Sequence, residues 1–306
     1  MERIKAKKNG FGKRNRNRLI FYCAFLSLPV LQFCIFYIGV NFNSLLLAFK
    51  SYEYETGAYQ WVGFMNFKEV FRDFGSVLYL QASIRNSLML YAFTMLTTFL
   101  ALLFSYYIFK RAPLSRLFQT MLFIPNIISA IVMVTIFKYF VERTIPCEWE
   151  KLRGETVQGL LGNQKTTLGT LIFYCCWSGF GVQMLMYSGA MSGVSDSVIE
   201  AAKLDGITPI REFFYIIVPL IYPTLVTFLV VEVAGIFTNQ MNLYNFYGLK
   251  AEYSLYTFGY FLYKEIQSVN ISGYPYLAAM GLVLTAVAVP LTLIVRKVLE
   301  TVGPKV

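Results

Sequence analysis

Six long apolar blocks without a single Asp, Glu, Lys or Arg constrain this chain more than any other feature. They run over Leu19–Val40, Ser87–Phe109, Leu117–Phe137, Thr166–Met191, Phe213–Val231 and Asn270–Val295. Each reaches the roughly 17–25 residues that a helix needs to cross about 30 Å of hydrocarbon. Lipid offers no partner for open backbone groups, so the crossings are expected as helices. The fold class is therefore an all-α integral membrane protein with six transmembrane helices. The spans are expected at about 19–40, 87–109, 117–137, 166–191, 213–240 and 270–295, within one transmembrane domain over 19–295. The composition agrees: of 306 residues only 14% are charged, where a soluble domain has about a quarter.

The net charge of +10 first suggests nucleic acid, but its distribution argues for topology. An even number of crossings puts both termini on one side, with the 110–116 and 191–212 loops. That side holds sixteen Lys and Arg against six Asp and Glu, whereas the other holds eleven against ten. The positive-inside rule then places both termini in the cytoplasm of a cell-membrane protein. The basic segment 1–18 reads as an anchor beside anionic lipid and not as a nucleic-acid arm. The first apolar block is expected to be retained as a span, because no small-residue cleavage site follows it cleanly.

Enzyme chemistry finds little support. The chain has no histidine, which removes the commonest acid–base residue and metal ligand. Four of the five cysteines (Cys23, Cys34, Cys175, Cys176) fall in apolar blocks and Cys147 stands in an outside loop, so no disulfide framework is expected. No phosphate loop of the G-x-x-x-x-G-K-[ST] kind is present in the sequence, and no metal or cofactor is expected on this chain, although a missing histidine leaves carboxylate or thiolate metal sites open.

Along the chain, Pro29 is expected to kink the first span, and Pro125 with Asn126 to break the pattern of the third. The segment from Ser51 is expected outside, with aromatics at interfacial depth and a short amphipathic helix over Phe67–Phe74. Gly179, Gly181, Gly189 and Gly193 are candidates for close helix packing. Tyr244, Tyr247, Tyr253, Tyr256 and Tyr260 suggest an aromatic outer vestibule or an interfacial belt.

The loop over 195–212 carries the most information. Ser197 and Glu200 have capping-box spacing, Ile199 and Ala202 share one face, and Ala201 with Ala202 keeps the helix narrow. Gly206 suits a left-handed stop, and Thr208 with Pro209 suits a new helix start. Such a compact helix–turn–helix fits either a docking element for a soluble partner or a helix lying at the headgroups.

These residues resemble the EAA loop of binding-protein-dependent ABC import permeases. Glu200-Ala201-Ala202, Gly206, Ile216 and Pro219 keep the complete spacing of that loop, with Val218 in place of its usual Leu and Ile207 in place of a frequent Ala. Asp205 beside Gly206 is similar to the carbohydrate branch, typified by the maltose permeases. Trp61–Phe67, Ile84–Ser87 and Ile124–Ala130 resemble further segments of that branch. The resemblance implies a type I importer permease fold with Val198–Asp205 as a cytoplasmic coupling helix. Glu200, Ala201, Ala202, Asp205 and Gly206 would couple it to an ATPase. It also implies partners: a second EAA-type permease (commonly a heterodimer), two cytoplasmic ATPase subunits holding ATP and Mg, and an extracellular substrate-binding lipoprotein. The chain itself would be a non-catalytic subunit with a short cytoplasmic tail, 296–306.

A carbohydrate, in particular an oligosaccharide, is the expected substrate. Polar side chains at the end of span five face the bundle or a wet cavity, since lipid penalises them. Gly235, Phe237, Asn239 and Gln240 combine amides with an aromatic face, the pairing that a sugar's hydroxyls and rings require, and the resemblance to the maltose permease implies sugar contacts within Gly235–Asn242, which adds Asn242. The alternatives at this point are an ABC permease for polyamine, phosphate or glycerol-phosphate, and a proton-coupled transporter centred on Glu232. Glu232 is otherwise a structural or gating carboxylate.

Overall fold

The sequence pattern becomes a helical protein in which two packing units are distinguishable, residues 1–70 with 269–282, and residues 71–268 with 283–306. The computed structural model describes the backbone of residues 2–304 and the side chains of Arg16 and residues 18–304. Apart from Arg16 and Arg18, the basic side chains of the expected anchor lie outside those described, as does Lys305 of the tail.

In the first unit, α1 is an apolar helix over Arg18–Leu47. It passes Pro29 and widens into a π-helical stretch at Phe33–Gly39. A small hairpin follows, β1 (Lys50–Glu53) antiparallel to β2 (Ala58–Trp61), with Lys50 opposite Trp61 and Glu53 opposite Ala58. Phe49 gathers Trp61, Phe64 and Phe67 around its ring. Asn66 donates to the carbonyls of Ala48 and Lys50 at 2.8 and 2.7 Å, so the Trp61–Phe67 motif is a clasp for the hairpin. Tyr54 and Tyr59 reach Ser272 Oγ and the Ile271 carbonyl. The amphipathic helix expected over Phe67–Phe74 is α2, Met65–Ser76.

The second unit holds α3 (Leu78–Phe109), α4 (Ser115–Ile127), α5 (Ala130–Arg153), α6 (Gln164–Ser192), α7 (Asp196–Leu204) and α8 (Pro209–Ala234). After these come α9 (Leu243–Tyr247) and α10 (Phe258–Ser268). The last helix, α11, is Tyr274–Val302. Among the described residues five helices are individually long and apolar enough to cross a membrane, or six if the bent pair α4 with α5 counts as one span. At about 1.5 Å per residue, helices of this length exceed the hydrocarbon core.

The break expected at Pro125 and Asn126 in the third span is a sharp turn. The chain turns by 109° between α4 and α5. Pro125 has no N–H and crowds the preceding turn, and Ile128 and Ser129 then take extended backbone angles. α5 restarts with the Met133 N–H on the Ser129 carbonyl and runs on to Arg153, where an outside loop was expected. Gly154, at φ +71°, ends it. The fifth span also differs: its helix stops at Ala234 and not at residue 240.

The core lies where α3, α6 and the start of α8 meet. Ala101, Leu102, Tyr187, Met191, Phe213, Ile217 and Ile221 are buried together. Ser105 donates across to the Met184 carbonyl at 2.9 Å, joining α3 to α6. Of the four glycines expected to allow close packing, only Gly181 does so. A Cβ there would stand 2.3 Å from the Leu122 carbonyl oxygen of α4, whereas Gly179 and Gly189 have nothing within 4 Å and Gly193 meets only Ala190.

Candidate functional site

Two regions of the second unit gather the residues singled out above, the helix of the 195–212 loop and a cavity. In the loop, the backbone of α7 starts at Ser195, whose carbonyl takes the Val198 N–H. The expected Ser197–Glu200 capping box does not form; Ser197 lies inside the helix and its hydroxyl meets that of Ser195 at 2.7 Å. The other end closes as expected. Gly206 takes φ +70°, its N–H bonds to the Lys203 carbonyl, and the Ile207 N–H bonds to the Ala202 carbonyl. This is the paired 5→2 and 6→1 closure that a left-handed glycine permits.

The helix also has two different apolar faces. Ile199 and Ala202 are buried within the chain. Val198, Ala201 and Leu204 instead form an exposed stripe, flanked by exposed Glu200, Lys203 and Asp205, with Leu204 89% exposed. Sequence reasoning had offered the Ile199–Ala202 face to a partner; the structure uses it inward. Of the five coupling candidates, Glu200, Ala201, Asp205 and Gly206 are outward and Ala202 is inward.

What ties this loop to the bundle was not foreseen. Lys110, at the end of α3, forms an ion pair with Glu212 at 2.5 Å. Lys110 also sits 5.6 Å over the Tyr106 ring. The Tyr106 hydroxyl donates to the Pro209 carbonyl at 2.9 Å, and its ring packs on Phe213. Lys110 had looked like one more topology-setting cation. The missed signal is that Glu212 is the loop acid that directly abuts an apolar block, where a charge needs a partner.

The cavity, of about 750 Å³, is walled by α3, the α4–α5 bend, α6 and the end of α8. Its size lies in the range of about 300–1,000 Å³ usual for small-molecule sites. The bend serves it directly, since Pro125, Asn126 and Ile128 line it. Of the expected pathway residues, Gly235, Asn239 and Asn242 line the cavity, together with Glu232. Phe237 and Gln240 do not; Phe237 packs edge-on against Phe258 instead.

Glu232 heads a polar cluster on the wall. Its Oε1 accepts from Thr98 Oγ1 and Gln183 Nε2, both at 2.5 Å, and Gln183 Nε2 reaches Thr98 Oγ1 at 3.0 Å. The neighbouring Thr94 hydroxyl is committed to the Tyr91 carbonyl. Glu232 Oε2 and Gln183 Oε1 are thereby left buried and without a donor.

After α8 the chain turns tightly. Asn239 Oδ1 accepts from the Met241 N–H, and Met241 and Asn242 both have left-handed φ near +50°. Gly259 makes room for this turn: a Cβ on it would lie 2.3 Å from the Thr238 carbonyl oxygen. Asn86 donates to the carbonyls of Ser254 and Tyr256, and Ser87 Oγ accepts from the Phe258 N–H, so the start of α3 pins the segment that leads to Gly259. The tyrosines divide. Tyr256 and Tyr260 are core residues, whereas Tyr244 and Tyr253 are exposed, so only part of the expected vestibule or belt forms. Lys264 lies over the rings of Tyr253 and Tyr256. Burial is the largest single influence and works to lower its pKa, but the hydrogen bond to the Tyr256 hydroxyl and the charges of Tyr256, Tyr260 and Tyr253 together hold the ammonium above the usual lysine range.

Comparison with known proteins fits this geometry. Residues 93–306 match the family described as binding-protein-dependent transport system inner membrane component. The chain is 25% identical over 293 residues to the probable ABC transporter permease protein YurN of Bacillus subtilis, covering 94% of this chain and 98% of that one. It is 26% identical to the arabinooligosaccharides transport system permease protein AraP of the same organism, over 61% of each chain. In structure it is similar to a chain of a bacterial ABC transporter involved in the import of the acidic polysaccharide alginate, with a TM-score of 0.73, 19% identity, and coverage of 96% and 99%.

Proposed function

Because the chain belongs to the family of inner-membrane components of binding-protein-dependent transport systems, we propose that it forms half of an ATP-driven import pathway for a carbohydrate, in particular an oligosaccharide. It is a non-catalytic integral membrane permease of the ABC importer class. The pathway is completed by a second, non-identical permease of the same kind, and ATP with Mg is bound and hydrolysed on two separate cytoplasmic subunits. An extracellular lipoprotein delivers the sugar. Both termini lie in the cytoplasm, in keeping with the excess of Lys and Arg on that side.

The observation that carries this reading is α7. Its Ile199–Ala202 face is buried, while its outer face presents Val198, Ala201 and Leu204 with Glu200 beside them. That is a small apolar ridge suited to a groove on a soluble partner. Closure of the ATPase pair would move α7, and the Gly206 corner and the Lys110–Glu212 pair would pass the motion to α8 and α3. The cavity wall is built from those same helices, so it would alternate between two arrangements driven by the partner's chemistry. Gly235, Asn239 and Asn242 serve as sugar contacts there. Glu232 belongs to the wall and is not the proton site of a secondary transporter.

The test is uptake of labelled oligosaccharides into proteoliposomes holding the co-purified complex. Uptake is expected to require both ATP and the loaded binding protein. Uptake that persists without the ATPase subunits and follows a proton gradient would overturn the reading and turn attention to Glu232.

A further inference from the structure

The cavity has a one-sided charge. Among the residues lining it, Glu232 is an acid and none is Lys or Arg. Its direct partners, Thr98 and Gln183, are neutral.

The hydrogen bonding is one-sided too. Thr98 donates to Glu232 Oε1, Gln183 Nε2 donates to Glu232 Oε1 and Thr98 Oγ1, and the Thr94 hydroxyl, beside the same carboxylate, donates to the Tyr91 carbonyl. Two acceptors, Glu232 Oε2 and Gln183 Oε1, remain without donors. The amide orientation of Gln183 follows from this, because only its nitrogen can donate to the carboxylate. Buried acceptors without donors are costly. They call for a ligand that brings O–H or N–H groups, reached as the wall opens during the transport cycle, since both oxygens are sealed from water in this conformation.

We propose that Glu232 with Gln183 is a charge filter and hydroxyl acceptor, admitting uncharged or ammonium-bearing oligosaccharides and rejecting those that carry carboxylates. This rests on the carbohydrate-import reading and deepens it. The preference is opposite to that of the structurally similar transporter, which is involved in import of the acidic polysaccharide alginate. Two like charges roughly 10 Å apart, at an effective dielectric constant of about 20, disfavour each other by roughly tenfold in affinity. The repulsion acts through space and needs no direct contact.

Saturation-transfer NMR on the whole complex in nanodiscs, without the binding protein, tests this. The probes are maltotriose, arabinotriose and xylotriose on one side, and trigalacturonate and trimannuronate on the other. A neutral trisaccharide is expected to bind wild type at least about tenfold more tightly than the acidic ones, with the gap narrowing as salt rises. Glu232→Gln, which keeps shape and acceptor, is expected to bring the acidic trisaccharides to within about threefold of the neutral one. Acidic ligands that bind wild type as well as neutral ones, or a gap that Glu232→Gln and salt leave unchanged, would overturn the filter and leave carbohydrate import standing. Failure of every saccharide to bind wild type and variant alike would overturn the carbohydrate reading itself.

Discussion

Lys110 Nζ stands 2.5 Å from Glu212 Oε1, joining the end of α3 to the first turn of α8, with side chains 27% and 4% exposed. The pair is asymmetric: the acid is buried and the base half in solvent. Removing the base therefore strands a buried carboxylate, whereas removing the acid leaves a lysine that can turn outward. Lys110→Met is expected to destabilise the complex by about 3–5 kcal/mol, and Glu212→Gln by clearly less. The double change Lys110→Met with Glu212→Leu is expected to recover much of the loss. Thermal unfolding of the purified complex, with uptake measured alongside, checks this; equal losses for the two single variants would contradict the burial argument.

Gly206 is at φ +70° and nothing lies within 4 Å of where its Cβ would be, so its demand is purely conformational. Gly206→Ala is expected to cost roughly 1–2 kcal/mol in the corner, and Gly206→Asn less, because Asn tolerates this region. Gly206→Pro cannot adopt a positive φ at all. The expected order of uptake is wild type, Asn, Ala, Pro, measured at matched expression in membranes.

Two glycines of one helix make a controlled comparison. Gly181→Ala pushes a methyl group into the Leu122 carbonyl of α4, while Gly189→Ala meets nothing. The first is expected to lower stability by about 1–3 kcal/mol through overpacking. The second is expected to be neutral or to stabilise α6 by about 0.5–1 kcal/mol, the usual gain of Ala over Gly inside a helix. Thermal unfolding in detergent, followed by gel filtration, reads both.

Much of this protein was legible from residues alone. The charge-free blocks announce the membrane helices because lipid admits little else, and Gly206 with Pro209 announces the corner because few residues suit those backbone angles. Pairings across the fold were not legible. Asn86 looked like part of a motif, and its purpose, holding the Ser254 and Tyr256 carbonyls, appears only when residues about 170 positions apart meet. Pro125 signalled a disturbance, but the turn itself falls three residues later, at extended Ile128 and Ser129. Ser197 matched a capping pattern that Ser195 fulfils with its backbone, so the start of α7 shifted by two positions. The choice between the Ile199–Ala202 and Val198–Leu204 faces could not be made from periodicity, since both are apolar. Gly259 carried no sequence signal, as its use lies in the backbone of residue 238.

In the proposed mechanism α7 transmits a partner's ATP-driven motion through its outward face. The most direct measurement is ATPase activity of the reconstituted complex, with and without loaded binding protein, for wild type, Glu200→Ala and Leu204→Asp. Leu204 is almost fully exposed in this chain, so its change is expected to leave the permease folded. Stimulation by loaded binding protein is predicted for wild type and is predicted to be lost in Leu204→Asp, with weaker retention of the ATPase during purification, and to be reduced in Glu200→Ala. Full stimulation and full retention of the ATPase in Leu204→Asp would contradict the account.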